Sequence, residues 1–150
     1  LTNSRFLDLY AGTGAVGIEA VSRGAVHVTS VESNRDALKL MRQNLELCHI
    51  GDEVAVLDRT IQQFLNHPDQ WTGPYDIVFA DPPYAEASLL PSLFAEPRID
   101  DLFALDSWLV IEHAAKTVLP MSLGCTKFSR RYRYGDTALS LYFRSHTVQA

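Results

Sequence analysis

Gly12-Thr13-Gly14-Ala15-Val16-Gly17 stands between an apolar run, Arg5–Tyr10, and a segment of helical period over about Ala15–Arg23. A G-x-G-x-x-G loop joining a strand to a helix lets the backbone approach a ligand closely and points the helix N-terminus at it. That arrangement commits the chain to a βα unit with a nucleoside-sized ligand beside it. A lone turn is the competing reading of the glycines alone. Gly24 stops the helix, and Val26–Val31 forms a second strand that delivers Glu32 at its end. A carboxylate in that place can hold both hydroxyls of a ribose.

Asp8 lies inside the first strand, just before the loop. A carboxylate there opposes a pyrophosphate, which a helix N-terminus otherwise favours, but suits an ammonium. S-adenosylmethionine carries an ammonium and a sulfonium, so Asp8 favours it over a dinucleotide such as NAD. A turn or capping carboxylate is the plainer role. At the end of a third strand, Asp58 or Thr60 can accept from an adenine amine, and Thr60 is equally suited to cap a helix.

Further along, apolar runs keep alternating with helix-period segments, the pattern of a parallel sheet covered by helices. Ser33 and Asp36 form a capping pair for a helix through about Leu47, with Ala37, Leu40, Met41 and Leu45 on one face. Glu53–Leu57 is the third strand, Thr60–Leu65 a short helix and Tyr75–Ala80 the fourth strand. Ser88–Ala95 is helical with Pro91 in its first turn. Trp108–Glu112 is a fifth strand, apolar enough for burial on both faces. Asp69–Pro74 and Pro97–Asp106 are surface loops, and Lys127–Tyr134, a Gly135-Asp136 turn and Ala138–Phe143 make a terminal hairpin. The whole is an α/β three-layer sandwich, one domain over residues 1–150.

The fourth strand runs into Asp81-Pro82-Pro83-Tyr84. Two prolines fix φ and remove two donors, which leaves the carbonyls of Asp81 and Pro82 as aimed acceptors. The Asp81 carboxylate is a further acceptor, and the Tyr84 ring offers a stacking face. Acceptors beside a stacking ring suit the exocyclic amine of a nucleobase. Asp and Pro are also ordinary turn residues, so strand-to-turn punctuation is the alternative.

A net charge of −5 argues against broad, nonspecific nucleic-acid binding. It leaves room for a local patch: Lys127, Arg130, Arg131 and Arg133 interleave with Phe128, Tyr132 and Tyr134. Such a stretch can track a phosphate backbone, or protect an edge strand by charge. His27, His49, His67, His113 and His146 are scattered without metal-binding spacing, so no metal is expected. His113 is expected to be structural or solvent-facing, and Glu19 a surface or packing residue. Cys48 and Cys125 match no metal or redox spacing, which suits a reduced cytoplasm. No apolar stretch approaches the ~20 residues of a membrane span.

Four stretches, Leu7–Ala25 (LDLYAGTGAVGIEAVSRGA), Val31-Glu32, Phe79–Tyr84 (FADPPY) and Tyr134–Thr137 (YGDT), resemble the RsmD-type family of Rossmann-like methyltransferases. They span almost the whole chain in order. The resemblance implies a mostly parallel seven-stranded sheet with an antiparallel C-terminal hairpin. It implies methyl transfer from S-adenosylmethionine to N2 of a guanine in small-subunit (16S) ribosomal RNA. The partner is then ribosomal RNA or the small ribosomal subunit, met in the cytoplasm by a monomer. Cofactor contacts carry over to Asp8, Ala11, Gly12, Gly14 and Glu32, with Thr60 at the adenine position. Target-amine contacts carry over to Asp81, Pro82 and Tyr84. Members of that family begin with a basic hairpin and helix that this chain lacks, so a non-catalytic cofactor-binding domain is one alternative. The Asp-Pro-Pro-Tyr motif is shared with DNA adenine methyltransferases, a second alternative, although no target-recognition insertion is visible.

Overall fold

A computed structural model describes residues 1–145; His146 lies outside the described residues. The chain builds its sheet outward from the middle. β1 (Arg5–Leu9), β2 (His27–Glu32) and β3 (Val54–Asp58) are parallel neighbours joined by α1 (Ala15–Ser22) and α2 (Arg35–Leu47). After α3 (Ile61–Leu65) the chain crosses back to the free side of β1 as β4 (Tyr75–Ala80). It continues through α4 (Leu90–Leu93) to β5 (Phe103–Ala114), parallel to β4. Three antiparallel strands finish it: β6 (Ser122–Leu123), β7 (Thr126–Tyr134) and β8 (Thr137–Arg144). The order across the sheet is β3-β2-β1-β4-β5-β8-β7-β6. The direction of growth reverses between β1 and β4, and there a crevice opens at the strands' carboxyl ends.

The sheet therefore has eight strands where seven are expected. The additional one, β6, is two residues long and pairs only with Thr126 and Lys127, too short to leave a period in the sequence. Apart from β5, the other observed strands and helices agree with the expected ones to within about two residues. The N-cap of α2 is Asn34 rather than Ser33: its side chain accepts from the backbone N–H of Ala37 at 2.9 Å. The buried face of α2 is accordingly Leu38, Met41 and Leu45, and Leu40 is 48% exposed.

One face of the sheet buries Leu7, Leu9, Val78, Ala80, Leu109, Ile111 and Tyr142 under α3, α4 and their connections. On the other, Phe6, Val28 and Val54 meet Ala20, Leu38, Met41 and Leu45 of α1 and α2. Two expectations fail in this region. Residues 97–106 are not a surface loop: Ile99, Leu102 and Phe103 are buried, and β5 begins at Phe103. Asp106, at φ 61, interrupts the strand's periodicity and hides that start. Nor is β5 buried on both faces. Ile77, Phe79, Trp108 and Val110 are half-buried, because α1 and α2 pack over the β1–β3 side of the sheet. Trp108 and Phe143 shield each other instead, with ring centroids 4.7 Å apart.

The glycine loop depends on its glycines to different degrees. Gly12 sits at φ 59 in open space, whereas Gly14 sits at φ 84 where an added Cβ would fall 2.6 Å from Met41 Cγ. Gly12→Ala should cost roughly 1 kcal/mol of backbone strain, and Gly14→Ala about 2–3 kcal/mol as Met41 is displaced. Urea denaturation of the two variants checks the order.

Candidate active site

β1 and β2 deliver the first half of the site. Gly12 donates its backbone N–H to Glu32 Oε1 at 2.7 Å. Glu32 Oε2 accepts from Ser33 and Asn34 at 3.0 and 2.9 Å, so the lead-in to α2 holds this carboxylate beside the glycine loop. The loop closes tightly, with the Gly14 N–H on the Ala11 carbonyl and Ala11 on the Val31 carbonyl. Gly17 has a packing role: a Cβ there would sit 3.1 Å from both Ser30 Oγ and Val28 Cγ1. Its absence lets α1 lie directly on β2.

Beneath that turn is Asp8, 1% exposed, paired in register with Ser30 of β2 and Phe79 of β4. Among the described residues its Oδ2 has no hydrogen-bond partner. Burial, then repulsion from Asp81 and Glu32, push the Asp8 carboxyl up to about 7. A buried carboxylate with an unpaired oxygen is a costly group that a cation would relieve. The donor set therefore fits S-adenosylmethionine: a carboxylate for the ammonium, a second for the ribose, and glycine backbone between them.

β4 delivers the second half. Leu9 pairs with Ala80, so the glycine loop and Asp81-Pro82-Pro83-Tyr84 leave the sheet side by side. Burial, then the hydrogen bond that protonated Asp81 donates to Glu112 and that residue's charge, raise the Asp81 carboxyl to about 6. Pro82 is buried, and the Pro83 carbonyl accepts from Glu86 at 2.8 Å and starts a short 3-10 turn over Tyr84–Leu89. Tyr84 is 72% exposed. It walls a cleft of about 360 Å3 with Asp81, Pro82, Glu112 and Thr137. A neighbouring cavity of about 550 Å3 runs past the same ring to Lys116, Arg133 and Asp136.

Among the remaining candidates, Thr60 caps α3: its hydroxyl accepts from the Gln63 N–H at 3.1 Å, and its own N–H donates to the Gln63 side chain at 2.9 Å. Asp58, exposed, is in register with Glu32 at the end of the neighbouring strand. His113 is buried with both ring nitrogens engaged, Nδ1 on the Ala114 carbonyl at 2.8 Å and Nε2 on the Ser140 hydroxyl at 2.7 Å. Burial lowers its pKa, so it is a neutral structural histidine. Glu19 forms an exposed ion pair with Arg23. In β7, Arg131 bonds the Ala115 carbonyl and Arg133 faces the larger cavity, while β6 leaves most of the strand's edge open. The basic stretch thus both guards an edge and borders the site. Sequence reasoning missed Glu112 and Thr137 as site residues. Glu112 looked like the end of a strand; the only signal was an acid at a strand's carboxyl end, as at Glu32. Thr137 had its Tyr134–Thr137 motif but no assigned role.

Comparison with known proteins bears on this arrangement. The family described as Conserved hypothetical protein 95 matches residues 1–143. YlbH of Bacillus subtilis (strain 168), provisionally named an rRNA methyltransferase, is 31% identical over 92% of this chain and 74% of its own length. Ribosomal RNA small subunit methyltransferase D of Escherichia coli (strain K12) is 28% identical over 96% of this chain and 70% of its own. Among solved structures, a conserved hypothetical protein of Streptococcus pyogenes superposes with a TM-score of 0.84 at 28% identity, covering 97% of this chain and 88% of that one.

The isolation of Asp8 has a measurable consequence. Between about pH 4 and 7 the folded chain keeps a proton that the unfolded chain has released. Asp8 therefore costs stability progressively as pH rises through that window, and the full cost stands above it. Asp8→Asn should leave stability near pH 4 little changed and raise it by about 2–4 kcal/mol at pH 8. Urea denaturation at the two pH values measures the difference.

Proposed function

The chain belongs to the Conserved hypothetical protein 95 family, the RsmD family, and from that premise we propose that it methylates the N2 amine of a guanine in small-subunit ribosomal RNA, with S-adenosylmethionine as donor. One observation carries the reading. A cationic-ligand cradle (Asp8, Gly12–Gly17, Glu32) and an amine-acceptor cleft (Asp81, Pro82, Tyr84) share the carboxyl ends of two paired strands. The names of the relatives support ribosomal RNA as the substrate class.

When bound, S-adenosylmethionine supplies an electrophilic methyl group on a sulfonium. Asp8 would hold the ammonium of that molecule and Glu32 its ribose hydroxyls, beside the backbone of Ala11, Gly12 and Gly14. Asp58 and Thr60 flank the adenine. The guanine amine is a weak nucleophile because its lone pair is delocalised into the ring. Asp81 and the Pro82 carbonyl accept its two hydrogens, which favours a pyramidal nitrogen and frees the lone pair. Both contacts strengthen as positive charge develops on nitrogen, so they stabilise the transition state more than the ground state. With its pKa near 6, Asp81 is ionised at neutral pH yet basic enough to take the proton released. Tyr84 stacks on the base, which must leave its helix or be presented in a loop.

Asp81→Ala should lower kcat on unmethylated small subunits by roughly 100–1,000-fold. Its affinity for S-adenosylhomocysteine by calorimetry should stay within about threefold. Loss of both together would undo the division of labour. Glu32→Ala should weaken S-adenosylhomocysteine roughly 10–100-fold; unchanged affinity would undo the ribose assignment.

A further inference from the structure

Asp-Pro-Pro-Tyr chemistry by itself accepts any exocyclic amine, adenine's as readily as guanine's. What the fold adds to that motif is Glu112. In the β4–β5 register Ala80 lies opposite Ile111, so Asp81 and Glu112 emerge next to each other at the carboxyl edge. Both side chains line the same cleft, where burial and then the neighbouring Glu112 raise the Asp81 carboxyl. Among the described residues lining that cleft there is no lysine or arginine to neutralise them. His113, the other titratable neighbour, already spends both ring nitrogens on Ala114 and Ser140. The cleft thus presents two adjacent carboxylates with no fixed counter-cation, a costly arrangement unless a ligand brings donors to it.

We propose that Glu112 reads guanine, its carboxylate accepting the ring N1–H while Asp81 accepts the neighbouring N2–H. This rests on the guanine methylation proposed above and supplies its base specificity. Of the standard bases with an exocyclic amine, only guanine carries a ring N–H beside it. Adenine and cytosine place a lone pair there, which would face the Glu112 carboxylate and leave both acceptors unsatisfied. Sites built to bond a donor reject analogues that lack it far more strongly than apolar pockets reject a missing methylene. Glu112 therefore does in this cleft what the four-residue motif cannot.

The test uses the intact protein and RNA spanning the methylated nucleotide, synthesised with either guanosine or 2,6-diaminopurine riboside at that position. Diaminopurine keeps the N2 amine but exchanges the N1–H for a lone pair. Wild type should favour guanosine in kcat/KM by at least about 100-fold. Glu112→Gln should narrow that preference by at least about tenfold, because an amide can turn either its C=O or its NH2 to the ring nitrogen. Equal use of both RNAs by wild type overturns the proposal without need of a variant. A preference undiminished in a folded Glu112→Gln protein overturns it as well. Failure of wild type to methylate the guanosine RNA is a different result: it removes the guanine function itself, and this inference with it.

Discussion

The pairing of β1 with β4 is the constraint from which the site follows. These strands are separated in sequence by two βα units, yet Leu9 and Ala80 are neighbours because the chain first builds outward to β3 and then crosses back. At such a reversal the loops leaving the two strands diverge, and the crevice between them is the one place where groups from both can face a single ligand. Move either strand to another position and the glycine loop loses its opposite wall. Each half is also locally rigid: the Gly12–Glu32 hydrogen bond ties the loop to β2, and two prolines stiffen the exit from β4.

These strand ends gather acidic groups that repel one another. Asp81 and Glu32 both act on Asp8, Glu112 stands beside Asp81, and Asp8 and Asp81 are raised chiefly by burial. Like charges gathered in partial shelter from water weaken the fold. The ligands proposed above, a cationic donor and a donor-rich base edge, would supply what these carboxylates lack. Electrostatic strain among these carboxylates is therefore the counterpart of the affinity and preorganisation proposed for the site.

Much of this was legible along the chain. The strand boundaries of β1 and β4, the helix after the glycine loop and the terminal hairpin follow from period, glycine and turn chemistry, all of which act over a few residues. Local signals also misled where two were in competition. Ser33 and Asn34 are both good caps, and which one enters the αN position depends on how Glu32 is held by the Ser33 and Asn34 amides. The start of β5 was concealed by the positive φ of Asp106, and its one-sided burial depends on which strands the helices cover.

From sequence alone came the α/β alternation, the glycine loop with acids at the ends of its flanking strands, and the amine-accepting motif. Each is a property of neighbouring residues and of backbone stereochemistry. The tertiary structure alone decided which strand ends meet, that Asp8 is buried with an unpaired oxygen, and that Glu112 stands beside Asp81. Those are consequences of strand register and burial, which bring together residues that no local pattern connects. The motifs are local; the adjacency of Asp81 and Glu112, on which the proposed reading of guanine rests, is set by strand register.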